Sequence, residues 1–164
     1  MLIHKYKNIE YSEVRLSEFN QDLRCDAEYF QPEVYYYERL LRKKVLVKVD
    51  NLAFVTDGIH ASIDFDEESN INMISAKAPK ENEFDLSGTG FISKTQHQNN
   101  PRTALRKDDV IITTVGTIGN CAVVSDDILP ANSDRHVGII RVENDKILPR
   151  YLSTLYFNTL IHYP

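Results

Sequence analysis

An α+β fold, with many short strands and flanking helices, is the class that this 164-residue sequence predicts, and three observations carry it. Short apolar runs rich in Val and Ile recur between residues 46 and 142, bounded by Gly, Asn, Asp or Ser; β-branched residues suit a pleated surface and those punctuating residues suit turns. Two segments, opened by Pro32 and Pro149, instead space their apolar residues as a helix does. A long polar excursion over 93–107 separates the strands in the middle of the chain. Strands grouped together with helices set apart read as α+β rather than as alternating βαβ units.

Taken in order, residues 11–16 alternate loosely and read as a leading strand. Gln31-Pro32 opens a helix, because proline at the first helical position gives up no hydrogen bond. Glu33 suits the positive end of its dipole, and Arg42, Lys43 and Lys44 suit the other end. Val34, Tyr37, Leu40 and Leu41 give one apolar face, which predicts an ordinary amphipathic helix packed on a sheet; the tyrosine triplet 35–37 obliges at least one ring to lie off that face. Residues 46–49 and 52–55 follow as strand-like runs ending at Asp57-Gly58-Ile59-His60. Residues 64–70 form an acidic loop, 71–74 a strand, and 76–109 a mostly irregular stretch with apolar islands at Phe84, Phe91 and Ile92. Strands are expected over 110–115 and 121–125, a turn at Asn132-Ser133-Asp134, and a strand over 136–142. Pro149 starts a final helix with Tyr151, Leu152, Leu155 and Tyr156 on its apolar face. The length supports one core, so a single domain over 1–164 is expected: a lead-in segment 1–31, a helix 32–44, and sheet, loops and C-terminal helix over 45–164.

The most informative stretch is Asp-Asp-Val-Ile-Ile-Thr-Thr-Val-Gly-Thr-Ile-Gly-Asn-Cys-Ala-Val-Val at 108–124. Two apolar runs joined by Gly116-Thr117-Ile118-Gly119 make a strand–turn–strand, with Thr114, Thr117 and Asn120 expected at its tip. A phosphate-cradling loop is the competing reading, and it fails on spacing. A P-loop needs Gly-x-x-x-x-Gly-Lys-Ser/Thr ahead of a helix, whereas here no lysine follows Gly119 and strand residues come next; the dinucleotide pattern Gly-x-Gly-x-x-Gly is also missing.

Hydrophobic residues make up 42% of the chain and charged residues 26%, as in ordinary globular proteins. No apolar run nears the ~20 residues of a membrane-spanning helix, and the first residues lack the apolar core of a signal peptide. The expected setting is therefore cytoplasmic, with no membrane partner. Cys25 and Cys121 make neither a disulfide framework nor a metal-binding spacing, and Cys121, inside an apolar run, reads as a buried thiol. A formal net charge of −5 argues against indiscriminate nucleic-acid binding. Residues 51–100 carry three basic and eight acidic side chains and so hold the whole acidic excess, which leaves a local basic face elsewhere open.

Catalytic constellations are sparse. His60 lies near Asp57, while His97 and His136 are scattered, without His-x-x-x-His, Cys-x-x-Cys or nucleophile-elbow spacing. Nothing selects a triad, a metal site or a cofactor, and the chain is expected not to be an enzyme. The chemically suggestive part is the polar excursion. It collects Lys94, Gln96, His97, Gln98, Asn99, Asn100, Arg102, Arg106 and Lys107. Such side chains contact phosphates or pair bidentately with base edges, arginine with guanine and asparagine or glutamine with adenine. A solvated polar loop is the competing reading.

Four pieces, in order, resemble the target-recognition domain of type I restriction-modification specificity subunits. Arg24-Cys-Asp-Ala-Glu-Tyr-Phe-Gln-Pro32 is similar to the Arg-x-Asp-Ala-Glu-Tyr-Phe-x-Pro that leads into such domains, and Asp57-Gly58-Ile59-His60 to their Asp-Gly-x-His turn. Leu105-Arg-Lys-Asp-Asp-Val-Ile-Ile-Thr-Thr-Val-Gly-Thr-Ile-Gly119 resembles their Leu-x-x-Gly-Asp-Val-Leu-x-x-x-x-Gly-x-x-Gly hairpin, and Pro149-Arg-Tyr-Leu152 the Pro-x-Tyr-Leu start of the helix after the last strand. The likeness spans about residues 20–160. Asp108 departs from the pattern's glycine. After Tyr156 the family continues into the rest of its recognition domain, long spacer helices and usually a second domain, so the expectation here is a single, shortened recognition domain.

The resemblance implies a twisted, partly barrel-like sheet of short strands with flanking helices, of the target-recognition type. It also implies a non-catalytic specificity component that recognises one half-site of double-stranded DNA. Partner methyltransferase (modification) subunits would methylate adenine with S-adenosylmethionine, and endonuclease subunits would cleave. Base contacts would come from loops: Lys94, Gln96, His97, Gln98, Asn99, Asn100 and Arg102, with Thr117 and Arg135 second. Lys77, Lys80, Arg106 and Lys107 would contact phosphates. Without spacer helices, docking on methyltransferase subunits is expected to be poor or to need a self-made homodimer. Two alternatives stand beside this reading. The recognition part of a single-chain DNA methyltransferase would require the catalytic Asn/Asp-Pro-Pro-Tyr/Phe motif, which this sequence lacks. A protein-interaction module from a shortened gene would show no basic face around residues 94–107.

Overall fold

The computed structural model describes residues 2–6, 9–13, 15, 31–41, 43–143 and 145–161. The chain divides into two compact units, Met1–Val47 and Lys48–Pro164. In the first, β1 (Leu2–Tyr6) and β2 (Ile9–Glu13) pair antiparallel, with Leu2 opposite Glu13 and Tyr6 opposite Ile9. The leading strand expected over 11–16 thus starts at Ile9, while Val14 and Leu16 lie outside the described residues, as does the lead-in motif at 24–30 with Cys25. Helix α1 (Pro32–Leu41) begins at the predicted proline. Its apolar face departs from expectation: Tyr37, Leu40 and Leu41 are exposed, and the Tyr36 and Tyr37 rings meet edge to face, 5.5 Å between centroids. Residues 45–48 are irregular and exposed rather than a strand; a run of β-branched residues becomes a strand only beside a ladder partner, and none pairs with them among the described residues.

The second unit is α+β. In chain order it holds β3 (Ala53–Asp57), β4 (Ile71–Ile74), β5 (Pro79–Lys80), β6 (Glu83–Phe84), β7 (Phe91–Ile92), α2 (Lys94–Asn99), β8 (Val110–Thr113), β9 (Cys121–Val123), β10 (Ala131–Ser133), β11 (Val137–Val142) and α3 (Pro149–Ile161). A four-stranded antiparallel sheet runs β3-β11-β8-β9, and a three-stranded one runs β10-β4-β7 with β10 parallel to β4. Gly138 lies opposite Asp57, Val137 opposite Thr113, and Ile112 opposite Cys121. A small hairpin, β5-β6, turns through Glu81 and Asn82, both with positive φ, the backbone of a tight primed turn. No sheet closes into a barrel among the described residues.

The four-stranded sheet is covered on both faces. Val137 and Ile139 of β11 pack with Ile74, Ile111, Val124 and Ala131, while the alternate residue Ile140 packs with Ala53, Val110 and Leu152 of α3. That double burial is why β8 and β11 read as nearly continuous apolar runs. A third cluster, Ile59, Ile71, Met73 and Ile92, sits under the three-stranded sheet.

Two further expectations are corrected. Residues 132–134 do not form a turn: Asn132 and Ser133 belong to the buried strand β10, because non-local partners satisfy Asn132. The stretch 76–109 is mostly irregular, as expected, with the short elements β5, β6, β7 and α2 set into it. The apolar face of α3 is narrower than predicted, with Leu152 buried and Tyr156 half-buried but Tyr151 and Leu155 exposed; one residue back along a helix is about 100° round its axis, enough to leave the core.

Candidate nucleic-acid interface

Strands β3, β4, β8 and β10 of the second unit run out at one place, ending at Asp57, Ile74, Thr113 and Ser133. Backbone hydrogen bonds tie the segments that follow. Ile59 N donates to Ser133 O at 2.7 Å, Arg135 N to Ile59 O at 3.1 Å, Asp134 N to Ile74 O at 3.0 Å, and Thr114 N to His136 O at 3.0 Å. Gly58 makes the approach feasible: a Cβ there would lie 2.1 Å from Asp134 O and 2.3 Å from Ser133 O. The glycine of Asp57-Gly58-Ile59-His60 is thus required by close backbone packing.

Thr113, fully buried, braces the hairpin tip between β8 and β9. Its Oγ1 donates to Thr117 O at 2.5 Å and accepts from Asn120 N at 3.1 Å. Its backbone N donates to Asn120 O at 2.9 Å, and its carbonyl accepts from Gly119 N at 3.1 Å. Gly116 (φ 80) and Gly119 (φ 93) supply the left-handed backbone that the turn needs. Thr114, Val115, Thr117 and Ile118 project outward and are exposed, whereas Asn120, expected at the tip, is only partly so.

Beside the tip opens a cleft of about 690 Å³, walled by Lys77, Lys80, Asp85, Thr117, Asn120 and His136 among others. Lys80 Nζ lies 2.5 Å from Asp85 Oδ2. That hydrogen bond, with two more from Ser87, holds the Asp85 carboxyl far below the usual carboxylate range. His136 Nδ1 sits 3.3 Å from Asp134 Oδ2, and the exposed Arg135 lies beside it with Nε 3.4 Å from His136 Nε2. Next to these, Asp57 bonds His60 Nε2 through Oδ2 and faces Arg102 Nη1 at 3.3 Å through Oδ1; the same Nη1 donates to Thr56 Oγ1. The His60 hydrogen bond, well ahead of a small contribution from the Arg102 charge, holds the Asp57 carboxyl below its ordinary value. Arg102 is therefore committed to an intramolecular carboxylate.

The polar excursion is more ordered than its composition suggests. Ser93 Oγ caps α2 by accepting from Gln96 N at 3.1 Å. Gln96 then staples the helix to the preceding segment: its Oε1 accepts from Asp64 N at 2.9 Å and its Nε2 donates to Ser62 O at 2.8 Å. His97 Nδ1 donates to Oδ1 of the buried Asn132. Asn132 Nδ2 donates to Asn100 O at 3.1 Å and Thr103 Oγ1 at 2.9 Å, and Asn100 Nδ2 to Gln96 O at 2.8 Å. Gln96, His97 and Asn100 thus serve the fold, leaving Lys94, Gln98 and Asn99 exposed on the outer side. Asn132, the hub, carried no signal in the sequence beyond a polar pair between apolar neighbours.

Arg106 and Lys107 do not join this group. They lead into the start of β8, whereas the hairpin tip follows its end, so about 13 Å of strand separates them. Lys107 Nζ is also engaged, 2.5 Å from Asp126 Oδ2, which raises its pKa. Between them and the strand, Asp108 has φ 68, left-handed backbone at the place where the resembling motif carries glycine. Asp109 is buried and takes both a bidentate grip from Arg141, 2.8 Å to Nε and 2.7 Å to Nη2, and a bond from Arg106 N at 2.8 Å. In the sequence Asp109 stands out only as the Asp of the hairpin motif, and Arg141 not at all. Cys121 is buried as expected, and burial pushes its thiol up to about 12.

Comparison with known protein families finds no matching family model, and no curated protein sequence matches the chain. Among the described residues no group of three or more His, Cys, Asp or Glu could hold a metal ion, and no helix is long and apolar enough to cross a membrane.

Proposed function

We propose that this chain is a sequence-reading DNA-binding component, the specificity part of a type I restriction-modification system. It recognises one half-site and directs partner methyltransferase and endonuclease subunits. The observation that carries the reading is the convergence of four strand ends into one rim. This rim presents a braced hairpin tip with exposed Thr114 and Thr117, the exposed cations Lys77 and Arg135, and a cleft between them. α2, stapled to the 62–64 segment, adds Lys94, Gln98 and Asn99. Loops on a stiff sheet, rather than an inserted helix, supply the base contacts, with Arg135 the residue suited to a guanine edge and Lys77 to a phosphate. The motif residues support the same reading: Gly58, the left-handed position 108 and Asp109 each have a structural task in holding the rim's strands, and Pro149 opens α3. On this view the fold is of the target-recognition type.

A second reading, a protein-interaction module, is favoured by the pairing of Arg102, Lys80 and Lys107 with Asp57, Asp85 and Asp126, which thins the basic surface. Selection from a random duplex pool separates the two. The DNA-reading role predicts enrichment of a short, defined sequence; a pool that stays random after repeated rounds sinks it and leaves the interaction module.

A further inference from the structure

We infer that the hairpin tip carries an apolar wedge, Val115 and Ile118, that enters a base step of the bound duplex and unstacks it, an inference that rests on the DNA-reading role proposed above. Both side chains are strongly exposed, 51% and 61%, and neither belongs to any of the three core clusters. They are not the loose ends of a floppy turn. Thr113 fixes the tip from inside through Thr117 O and Asn120 N, Ile118 N donates to Gly116 O at 3.0 Å, and two glycines set the backbone. A braced projection that holds two β-branched apolar side chains in water has apolar surface to bury against something, worth about 25 cal/mol per Å² removed from solvent.

The surroundings select the occupant. Thr114 and Thr117 alternate with the apolar pair along the tip, Val115 shares its cleft wall with Lys77 and Lys80, and Arg135 stands at the hairpin's base, where Thr114 N meets His136 O. The carboxylates facing the same cleft, Asp85 and Asp134, are partnered by Lys80 and His136. The exposed Glu81 and Glu83 line an adjoining cleft that shares Thr117 and Asn120, so the cationic side of the tip is the one with Lys77 and Arg135. Apolar prongs flanked by hydroxyls and cations match the gap between two base pairs, an apolar slot bordered by phosphates on each side. Proteins that insert Phe, Leu, Ile, Met or Pro between base steps work this way, offsetting the unstacking cost by bending DNA onto more protein surface. The core of a protein–protein interface, by contrast, is depleted of lysine. Gly116, with nothing within 4 Å of where a Cβ would stand, leaves room for the sugar-phosphate chain to close on the tip.

The test uses the full chain and duplexes that carry the selected sequence with 2-aminopurine placed at successive positions. The wild-type chain should raise the fluorescence at one step, reporting unstacking there. Val115→Ser/Ile118→Ser should lose that rise while keeping the preference for the selected sequence, and Ile118→Met should retain it. Because both positions are exposed, thermal melting of the double variant should match wild type. Selective binding with no rise at any position, or a rise that survives in the double-serine variant, overturns the wedge and leaves the DNA-reading role standing. If no sequence is selected, and the double variant instead loses a protein partner that wild type retains, the tip is a protein-docking prong and both proposals fall.

Discussion

Asp109 is 1% exposed and Arg141 11%, and among the described residues their charges are compensated by each other and by the bonds from Arg106 N and to Ala104 O. Removing one partner strands a buried charge, which costs about 3–5 kcal/mol, whereas replacing both with apolar groups costs far less. Arg141→Met should therefore lower the unfolding free energy by that amount in urea titrations, and Asp109→Leu/Arg141→Met should recover most of it. A loss below about 1 kcal/mol in the single variant would mean that the pair is not the anchor described. Asp108, with φ 68, gives a finer test. Asp108→Val should cost about 1–3 kcal/mol in the same titrations, while Asp108→Gly should be neutral or slightly stabilising. Cys121 fixes a pH dependence. Its thiol ionises near 9 when unfolded but only at about 12 when buried, so the unfolded chain releases the proton first. Stability from the neutral thiol is complete below about 9 and declines as pH rises toward about 12. Partial burial shifts the half-buried Tyr156 hydroxyl in the same direction. Denaturant midpoints should fall over that window, and less steeply for Cys121→Ala. The buried thiol was legible in the sequence because its neighbours are apolar; the Asp109–Arg141 pair was not, because it joins residues on separate elements.

Elements fixed by local chemistry were readable, and those fixed by distant partners were not. Glycines with positive φ between two β-branched runs announce the β8–β9 hairpin, and proline at a first helical position announces α1 and α3. β10 and α2 gave no such sign. Asn132-Ser133 carries turn formers, yet it runs as a buried parallel strand because His97, Asn100 and Thr103 satisfy the Asn132 amide from more than one turn away. The same dependence explains why Gln96, His97 and Asn100, attractive as base readers by type, are spent on the fold. Asn132→Ala should leave His97 Nδ1 without its acceptor, while Asn100 O and Thr103 Oγ1 keep their bond to each other, and cost about 1–3 kcal/mol. It should also speed amide exchange across 94–100 more than in β8 or β11. Uniform exchange changes through the second unit would instead show that α2 is not held by this network.

At the scale of the molecule, the net charge of −5 sets the terms on which DNA can be bound. Long-range repulsion must be overcome locally by cations such as Lys77 and Arg135, so binding should be weak and governed by position rather than by total charge. The β8–β9 hairpin was legible in the sequence but the rim was not, because only folding brings residues 57–60, 75–77, 114–120 and 134–136 together. The sequence also suggests Arg106 and Lys107 as phosphate contacts beside the base readers, whereas β8 sets them at its opposite end from the hairpin tip. That separation makes the decisive measurement possible: fluorescence anisotropy on selected and random duplexes at several salt concentrations, with three variants. Arg135→Ala should lose about 1–3 kcal/mol on the selected duplex and little on random DNA. Lys77→Ala should weaken both alike and lower the salt slope by about one, and Lys107→Ala should change neither affinity nor slope. Binding that is unaffected by Arg135→Ala and Lys77→Ala but weakened by Lys107→Ala would contradict the rim as the DNA-reading surface.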